Sequence, residues 1–302
     1  MSKLTPTAVL HGVIAIASGG GGTDNLPAVV FGTNATPTIA CPDSEHKTFN
    51  GLFGLTEVTL PDATEIASNG FAKLTSLQTV TAPEVITVGQ NAFDSCAGLT
   101  DVSLPKCVTV GQEAFSYAFN SGTALSLPAC TTISRQAFSN AKLSSISCPN
   151  VTTVSYNAFS ASKVTSISLP LVTTLPQNAL QGATSCATVN LPNCETIGES
   201  ALSNDMALTD IDLPKVHSIG KSAFSGTMSL LHVRFGYDGV VELPTLESEY
   251  DRYNLFGFTD NNITIHVPAG QLSAYQADSK WAKVVTETQY YGGSVTFVGD
   301  YE

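Results

Sequence analysis

Apolar and polar positions along this chain repeat in blocks of about 22 residues, each block anchored by a proline. Pro61, Pro83, Pro105, Pro128, Pro149, Pro170, Pro192 and Pro214 stand 22, 22, 23, 21, 21, 22 and 22 apart. Three residues before each proline lie Val58, Val80, Val102, Leu125, Ile146, Ile167, Val189 and Ile211. The residue just before it is Leu60, Ala82, Leu104, Leu127, Cys148, Leu169, Leu191 or Leu213. Five after it come Ile66, Val88, Val110, Ile133, Val154, Leu175, Ile197 and Ile219, and ten after it Phe71, Phe93, Phe115, Phe138, Phe159, Leu180, Leu202 and Phe224. Eight units in one register identify an internal repeat of the length used by solenoids.

Alternation around the proline predicts a short strand, with Val102 and Leu104 inward and Asp101 and Ser103 outward. Proline lacks the ladder donor, so it belongs at the end of that strand. A second extended piece follows, as in Val172-Thr173-Thr174-Leu175, and the Ala-Phe stretch is expected to turn back as a short helical turn with its ring inside. One coil of this size cannot bury its own apolar edges, so neighbours must stack at roughly 4.8 Å. The expected fold is a right-handed repeat solenoid of about ten short coils, β-rich with short helical turns and capped at both ends.

The unit resembles the BspA-like, or Treponema-type, leucine-rich repeat, which reads approximately Leu-x-x-Ile-x-Leu-Pro-x-Val-x-x-Ile-Gly-x-x-Ala-Phe. Residues 208–224 (LTDIDLPKVHSIGKSAF) match it nearly throughout, as do residues 99–115, and the resemblance spans about residues 49–285. It implies a leucine-rich-repeat stack and, less specifically, a surface or adhesive role. Gly122 and Cys186 depart from the first leucine of their units, and no proline stands near Gly236. The organisation expected is a strand segment, Gly-rich link and cap in 1–48, repeats in 49–235, an insertion in 236–262, a last repeat and cap in 263–285, and a strand or tail in 286–302. Tyr275 and Trp281 should cover the last coil, and a degenerate first coil should begin near Ile39. The final strand around 295–298 is expected to pair with a partner chain or with the N-terminal strand, which leaves self-assembly through terminal strands open.

Composition narrows the partners. Charged residues are 13% of the chain, below the roughly 25% usual for soluble domains. The net charge of -12 opposes phosphate backbones, so nucleic acid is not expected as a partner. No apolar run is long enough for a spanning helix. A stretch ending Ala15-Ile16-Ala17 fits a secretory cleavage pattern, yet His11, Gly12 and its alternation fit a strand better.

Catalytic patterns are missing: no HExxH, CxxC, GxSxG or phosphate loop occurs, and neither cofactor nor metal is expected. Cys107, Cys130 and Cys194 share the place two after the proline, where other units carry Ala or Val, so they read as core, as do Cys148 and Cys186; Cys41 and Cys96 stay undecided. A disulfide between Cys107 and Cys130 is the alternative to reduced packing. Glu242, Glu247, Glu249 and Asp251 lack the oxygen-ligand alternation of a calcium loop and read as a solvated insertion.

The outward ladder of the first strand is mostly short hydroxyls with acidic ends, such as Ser145/Ser147, Ser166/Ser168 and Asp210/Asp212, and His232/Arg234 continues it. Hydroxyls suit a solvated sheet as well as a ligand. Charge of both signs with amphipathic rings carries more specificity, so the candidate binding residues are Asp210, Asp212, His232, Arg234, Tyr250 and Tyr253. The competing expectation is that Asp212 and Arg234 only pair with each other across the ladder. The function expected is a non-enzymatic binding or adhesion module, extracellular or at a bacterial cell surface, recognising a protein or glycan on a host or neighbouring cell. A bacteriophage virion component, in a tail or head fibre, is the alternative. An enzyme is the third class, with Asp251 and His266 as its candidate machinery.

Overall fold

A computed structural model describes residues 55–120, 122–246 and 252–301 together with the backbone of strands Val13–Ile16, Ala28–Phe31 and Thr38–Ile39. It is a parallel β-solenoid of about eight regular turns. The strands before the first seven repeat prolines, for example Asp101–Ser103, stack in parallel in a sheet of nine that Val13–Ile16 and Ala28–Phe31 complete. Four further strands, Asp210–Leu213, His232–Phe235, Asn262–Pro268 and Ser294–Tyr301, form a C-terminal sheet in that order. The second side is built from two-residue strands such as Thr109–Val110. Strands Ala28–Phe31 and Thr38–Ile39 lie against strands Glu57–Thr59 and Glu65–Ile66, so stacking begins ahead of the first repeat proline.

The apolar positions named from the sequence form one continuous core. Val58, Val80, Ile167 and Ile211 are at most 1% exposed. Cys96, Cys107, Cys130, Cys148, Cys186 and Cys194 are buried free thiols, and desolvation pushes Cys96, Cys107, Cys148 and Cys186 up to about 12. Cys41 lies outside the described residues. Down the middle runs a file of rings: Phe71, Phe93, Phe115, Phe138 and Phe159 stack with centroids 5.1 to 5.4 Å apart and planes within 10°. Leu180 and Leu202 interrupt the file, and Phe224 and Phe256 resume it at 5.7 Å.

The third side differs from the expected helical turn. Eight and twelve residues after each proline the backbone is left-handed, as at Asn91 (φ 54°) and Ser95 (φ 61°), and the residues between them make overlapping tight turns. Alternate amides are thereby freed from the turn and aimed along the stack: Asn91 N–H donates to Gln112 O (2.9 Å), Phe93 to Ala114 (2.7 Å) and Ser95 to Ser116 (2.8 Å). A helical turn would fold those donors back onto their own coil and leave the next coil unbonded. Asparagine tolerates the left-handed region better than most residues, which is why Asn69, Asn91, Asn157, Asn178, Asn140 and Asn204 recur at these two places.

The stretch after Phe235 rejoins the stack early. Glu242 N–H donates to His217 O (2.7 Å), Ile219 N–H donates to Glu242 O (2.9 Å), and Val241 and Leu243 are buried. Ser222, Phe224 and Gly226 donate to Tyr253, Leu255 and Gly257, so those residues fill the third side of the same coil.

Helices α1 (Leu272–Ala277) and α2 (Ser279–Tyr290) close the end. Asp278 caps α2 by accepting from Lys280 N (2.8 Å) and Trp281 N (2.9 Å). Tyr275 and Trp281, each 1% exposed, cover the last coil as expected. Trp281 Nε1–H donates to Val241 O and Tyr275 Oη accepts from Val241 N, both at 2.9 Å, so the cap satisfies both main-chain groups of one residue.

Glu287 of α2, 7% exposed, accepts from Tyr253 N (3.1 Å) and Asn254 N (2.8 Å). Asn254 is left-handed and occupies the place whose amide, in every coil before it, donates to the next coil. No further coil follows, and the carboxylate takes its role. Glu287→Ala should cost about 2 to 3 kcal/mol, because two enclosed amides lose a charged acceptor. Urea unfolding measures it, and a midpoint equal to that of the wild type would show that water replaces the carboxylate.

Candidate functional site

Strands Asp210–Leu213, His232–Phe235, Asn262–Pro268 and Ser294–Tyr301 turn alternate residues outward, and their parallel register decides which of these meet. Asp210 faces His232 and Asp212 faces Arg234 across one pair; Arg234 faces His266 across the next. His266 faces Val298 in the fourth strand, which brings Asp300 and Tyr301 to the end of the same face. Asp210, Asp212, His232 and Arg234 are therefore gathered on one surface, joined by His266, Asp300 and Tyr301.

The pairing is diagonal rather than straight across. Arg234 Nη1 lies 3.3 Å from Asp210 Oδ1, with side chains 36% and 47% exposed, a surface ion pair of small worth. Asp212, expected as the partner of Arg234, instead accepts from Tyr301 Oη–H at 2.9 Å. Burial and that bond to a carboxylate raise the Tyr301 phenol to about 12, so the group is a donor throughout the physiological range. His232 Nδ1 and His266 Nε2 lie 3.1 Å apart, and His266 Nδ1 lies 2.8 Å from Asp300 Oδ1. His266 is tucked in, its side chain 16% exposed, whereas Asp300 is 59% exposed.

Of the two tyrosines of the candidate set, Tyr253 does not join this face. Tyr253 is 3% exposed in the core, its amide bound by Glu287, because the chain has already rejoined the stack there. Tyr250 lies outside the described residues, as do Glu247, Glu249 and Asp251. The final strand also pairs differently from the expectation of a partner chain or the N-terminal strand. Ser294–Tyr301 runs parallel to Asn262–Pro268 over most of its length, while Val13–Ile16 pairs antiparallel with Ala28–Phe31. The helical cap carries the chain back across the stack end, so the last strand returns in the same direction as the one before it.

Sequence reasoning missed Asp300 and Tyr301, which follow a long cap and carry no repeat register. The signal available was the alternation Thr296, Val298, Asp300 on one face of the last strand. Among the described residues, no three His, Cys, Asp or Glu side chains converge as a metal-binding group, and no helix is long and apolar enough to cross a membrane.

Comparison with known proteins bears on the fold. No curated protein matches the sequence. Among solved structures the chain is similar to a leucine rich cell surface protein from Faecalibacterium prausnitzii A2-165, with 20% identity over 90% of each chain and a TM-score of 0.34. It is similar to a leucine-rich repeat protein from Bacteroides ovatus ATCC 8483, with 15% identity over 90% of this chain and 92% of that one and a TM-score of 0.30. It is also similar to the leucine-rich repeat protein of T. pallidum, with 14% identity over 91% and 94% and a TM-score of 0.27. The BspA type leucine rich repeat region matches in six copies across residues 44–123 and 109–231, which is most of the stack described above. With the proline register, the ring file and this match in agreement, the chain belongs to the BspA-type leucine-rich repeat family.

Proposed function

We propose that this protein is a non-catalytic binding module of the bacterial cell surface that holds a protein partner on the outward face of its C-terminal sheet. One observation carries the reading: ionisable side chains concentrate there, with Asp210, Asp212, His232, Arg234, His266, Asp300 and Tyr301 on four adjacent strands. The coils before them present mainly Ser and Thr at the same outward places, such as Ser145, Ser147, Ser166 and Ser168. Leucine-rich repeats are in general interaction scaffolds, and the family resemblance implies surface and adhesive roles. A face with both signs of charge fixes the orientation of a partner more than it adds raw affinity. Arg234 is the anchor, because guanidinium is enriched among the residues that dominate interfaces.

Capture from the surface proteins of a neighbouring or host cell, alongside a glycan array, tests this. Arg234→Glu should weaken binding about tenfold, or roughly 1.4 kcal/mol, with unchanged melting. Ser166→Glu, farther down the ladder, should leave it intact. Saturable binding to glycans alone would replace the protein partner, and full affinity in both Arg234→Glu and Asp212→Lys would move the site elsewhere on the solenoid.

A further inference from the structure

We propose that His232 and His266 form a two-imidazole chelate for a divalent transition metal of the Zn2+ or Cu2+ class. The geometry begins with the tautomer of His266. Its Nδ1 lies 2.8 Å from Asp300 Oδ1, which accepts but cannot donate when ionised, so Nδ1 carries the proton. The in-plane lone pair of a neutral His266 is then on Nε2, which lies 3.1 Å from His232 Nδ1. Two ring nitrogens at that distance need either a hydrogen or a metal ion between them. A proton satisfies both as a single hydrogen bond, and a metal satisfies both as ligands.

Distance favours the second occupant as much as the first. Metal to imidazole bonds of about 2.0 to 2.1 Å, with angles from square to tetrahedral at the metal, place the two nitrogens roughly 2.9 to 3.4 Å apart. The observed 3.1 Å is inside that range. The rings are tilted by 45° with centroids 5.2 Å apart, so the contact is through nitrogens and not through stacked faces. Parallel strands hold both backbones: His232 is opposite Thr264 and His266 opposite Arg234, a diagonal that neither side chain must leave its strand to make.

Asp300 completes the pattern usual behind metal-bound histidine, a carboxylate that fixes the ring through its far nitrogen. It is a positioning residue. The charges around the pair are Asp210, Asp212 and Asp300 against Arg234, whose guanidinium is held by Asp210 at 3.3 Å, so the local balance favours a cation. With only two protein ligands, water fills the remaining positions, and the site is weaker than a four-ligand structural site.

Untagged protein is titrated with CuCl2 and, separately, ZnCl2, following heat and, for copper, the paramagnetic resonance signal. The expected result is one saturable ion per chain, with nitrogen couplings from two imidazoles. His232→Gln and His266→Gln should each weaken binding at least tenfold and reduce the copper signal to one nitrogen. Asp300→Asn, at an exposed position, should weaken it about tenfold while keeping two nitrogens, a result that loss of fold would not give. His217→Gln is the control and should change nothing. No saturable ion, or binding that survives both His232→Gln and His266→Gln, overturns the proposal and leaves the pair as a plain hydrogen bond. If either glutamine variant melts early without metal, the Asp300→Asn affinity and the nitrogen count decide. Loss of the metal site leaves the partner-binding reading standing, since Arg234→Glu tests that one alone.

Discussion

Phe115→Ala is expected to destabilise the solenoid by about 4 kcal/mol, the usual cost of removing a fully buried phenyl ring. Phe115 is 0% exposed and touches three other rings, with centroids 5.1 Å to Phe93, 5.3 Å to Phe119 and 5.4 Å to Phe138. Each coil of a solenoid contacts only its neighbours, so the loss falls on two interfaces in mid-stack and not on the whole molecule evenly. Urea unfolding followed by circular dichroism should therefore become broader or split in two, as the halves on either side uncouple. Phe115→Leu should cost far less, about 1 to 2 kcal/mol, because Leu180 and Leu202 fill the same column in later coils. A single sharp transition in Phe115→Ala, shifted no more than in Phe115→Leu, would show that the ring file is ornament to a stack held by its backbone.

The second large effect is a stabilisation. Asp205 stands thirteen after Pro192 in a column whose other members include Leu74, Cys96, Ala118, Ala141, Ala183 and Thr227, and it is 0% exposed. Neither carboxyl oxygen has a hydrogen-bond partner. Desolvation raises its pKa to about 8, and the nearby amide of Ala207 offsets this only in part. The folded state thus holds this proton more tightly than the unfolded chain, where a carboxyl titrates near 3.9. Folded protein binds more protons between those limits, so stability falls as pH rises through that window and the full penalty is present above about pH 8.

At 1.36 kcal/mol per unit the penalty is on the order of 5 to 6 kcal/mol. Asp205→Thr removes it. Thr227, one coil on, donates its hydroxyl to Phe224 O at 2.6 Å, and a threonine at 205 has Leu202 O in the equivalent place. Unfolding of wild type and variant at pH 5 and pH 8.5 should show a stability gap that widens by several kcal/mol at the higher pH. A gap independent of pH would mean that Asp205 finds water or a partner when ionised.

The strand before each proline, the core thiols and the Phe column were legible because each recurs in register over many units. The third side was misread for a chemical reason. Ala-Phe in sequence suggests helix, but the deciding residues are those at Asn69, Asn91, Asn140, Asn157, Asn178 and Asn204, with Gly182 and Gly226 in the same places, which together favour left-handed backbone. Half of the candidate site was legible for the same reason as the core: Asp210, Asp212, His232 and Arg234 have defined outward positions. Asp300 and Tyr301 do not, since a helical cap separates them from the repeat and only the parallel return of the last strand brings them beside Asp212 and His266. Tyr253 looked like a surface ring because the insertion was read as one excursion, whereas the coil had already closed beneath it.

Alternate amides of the third side point the same way along the stack, from each coil toward the next, and at the last coil they meet Glu287. The third side therefore has a sense of direction, as a helix has, with its electropositive end under α2. An interior coil receives one set of bonds from below and offers the same set above, so it is interchangeable with any other interior coil. Length is then a quantity that can change in whole units, by duplication or loss of one repeat, with no alteration at either end. The last coil has no such freedom. Only there do the final donors find a carboxylate, so a lineage that lengthens or shortens this protein must add and remove coils behind the C-terminal face, which travels with its cap as one inherited piece.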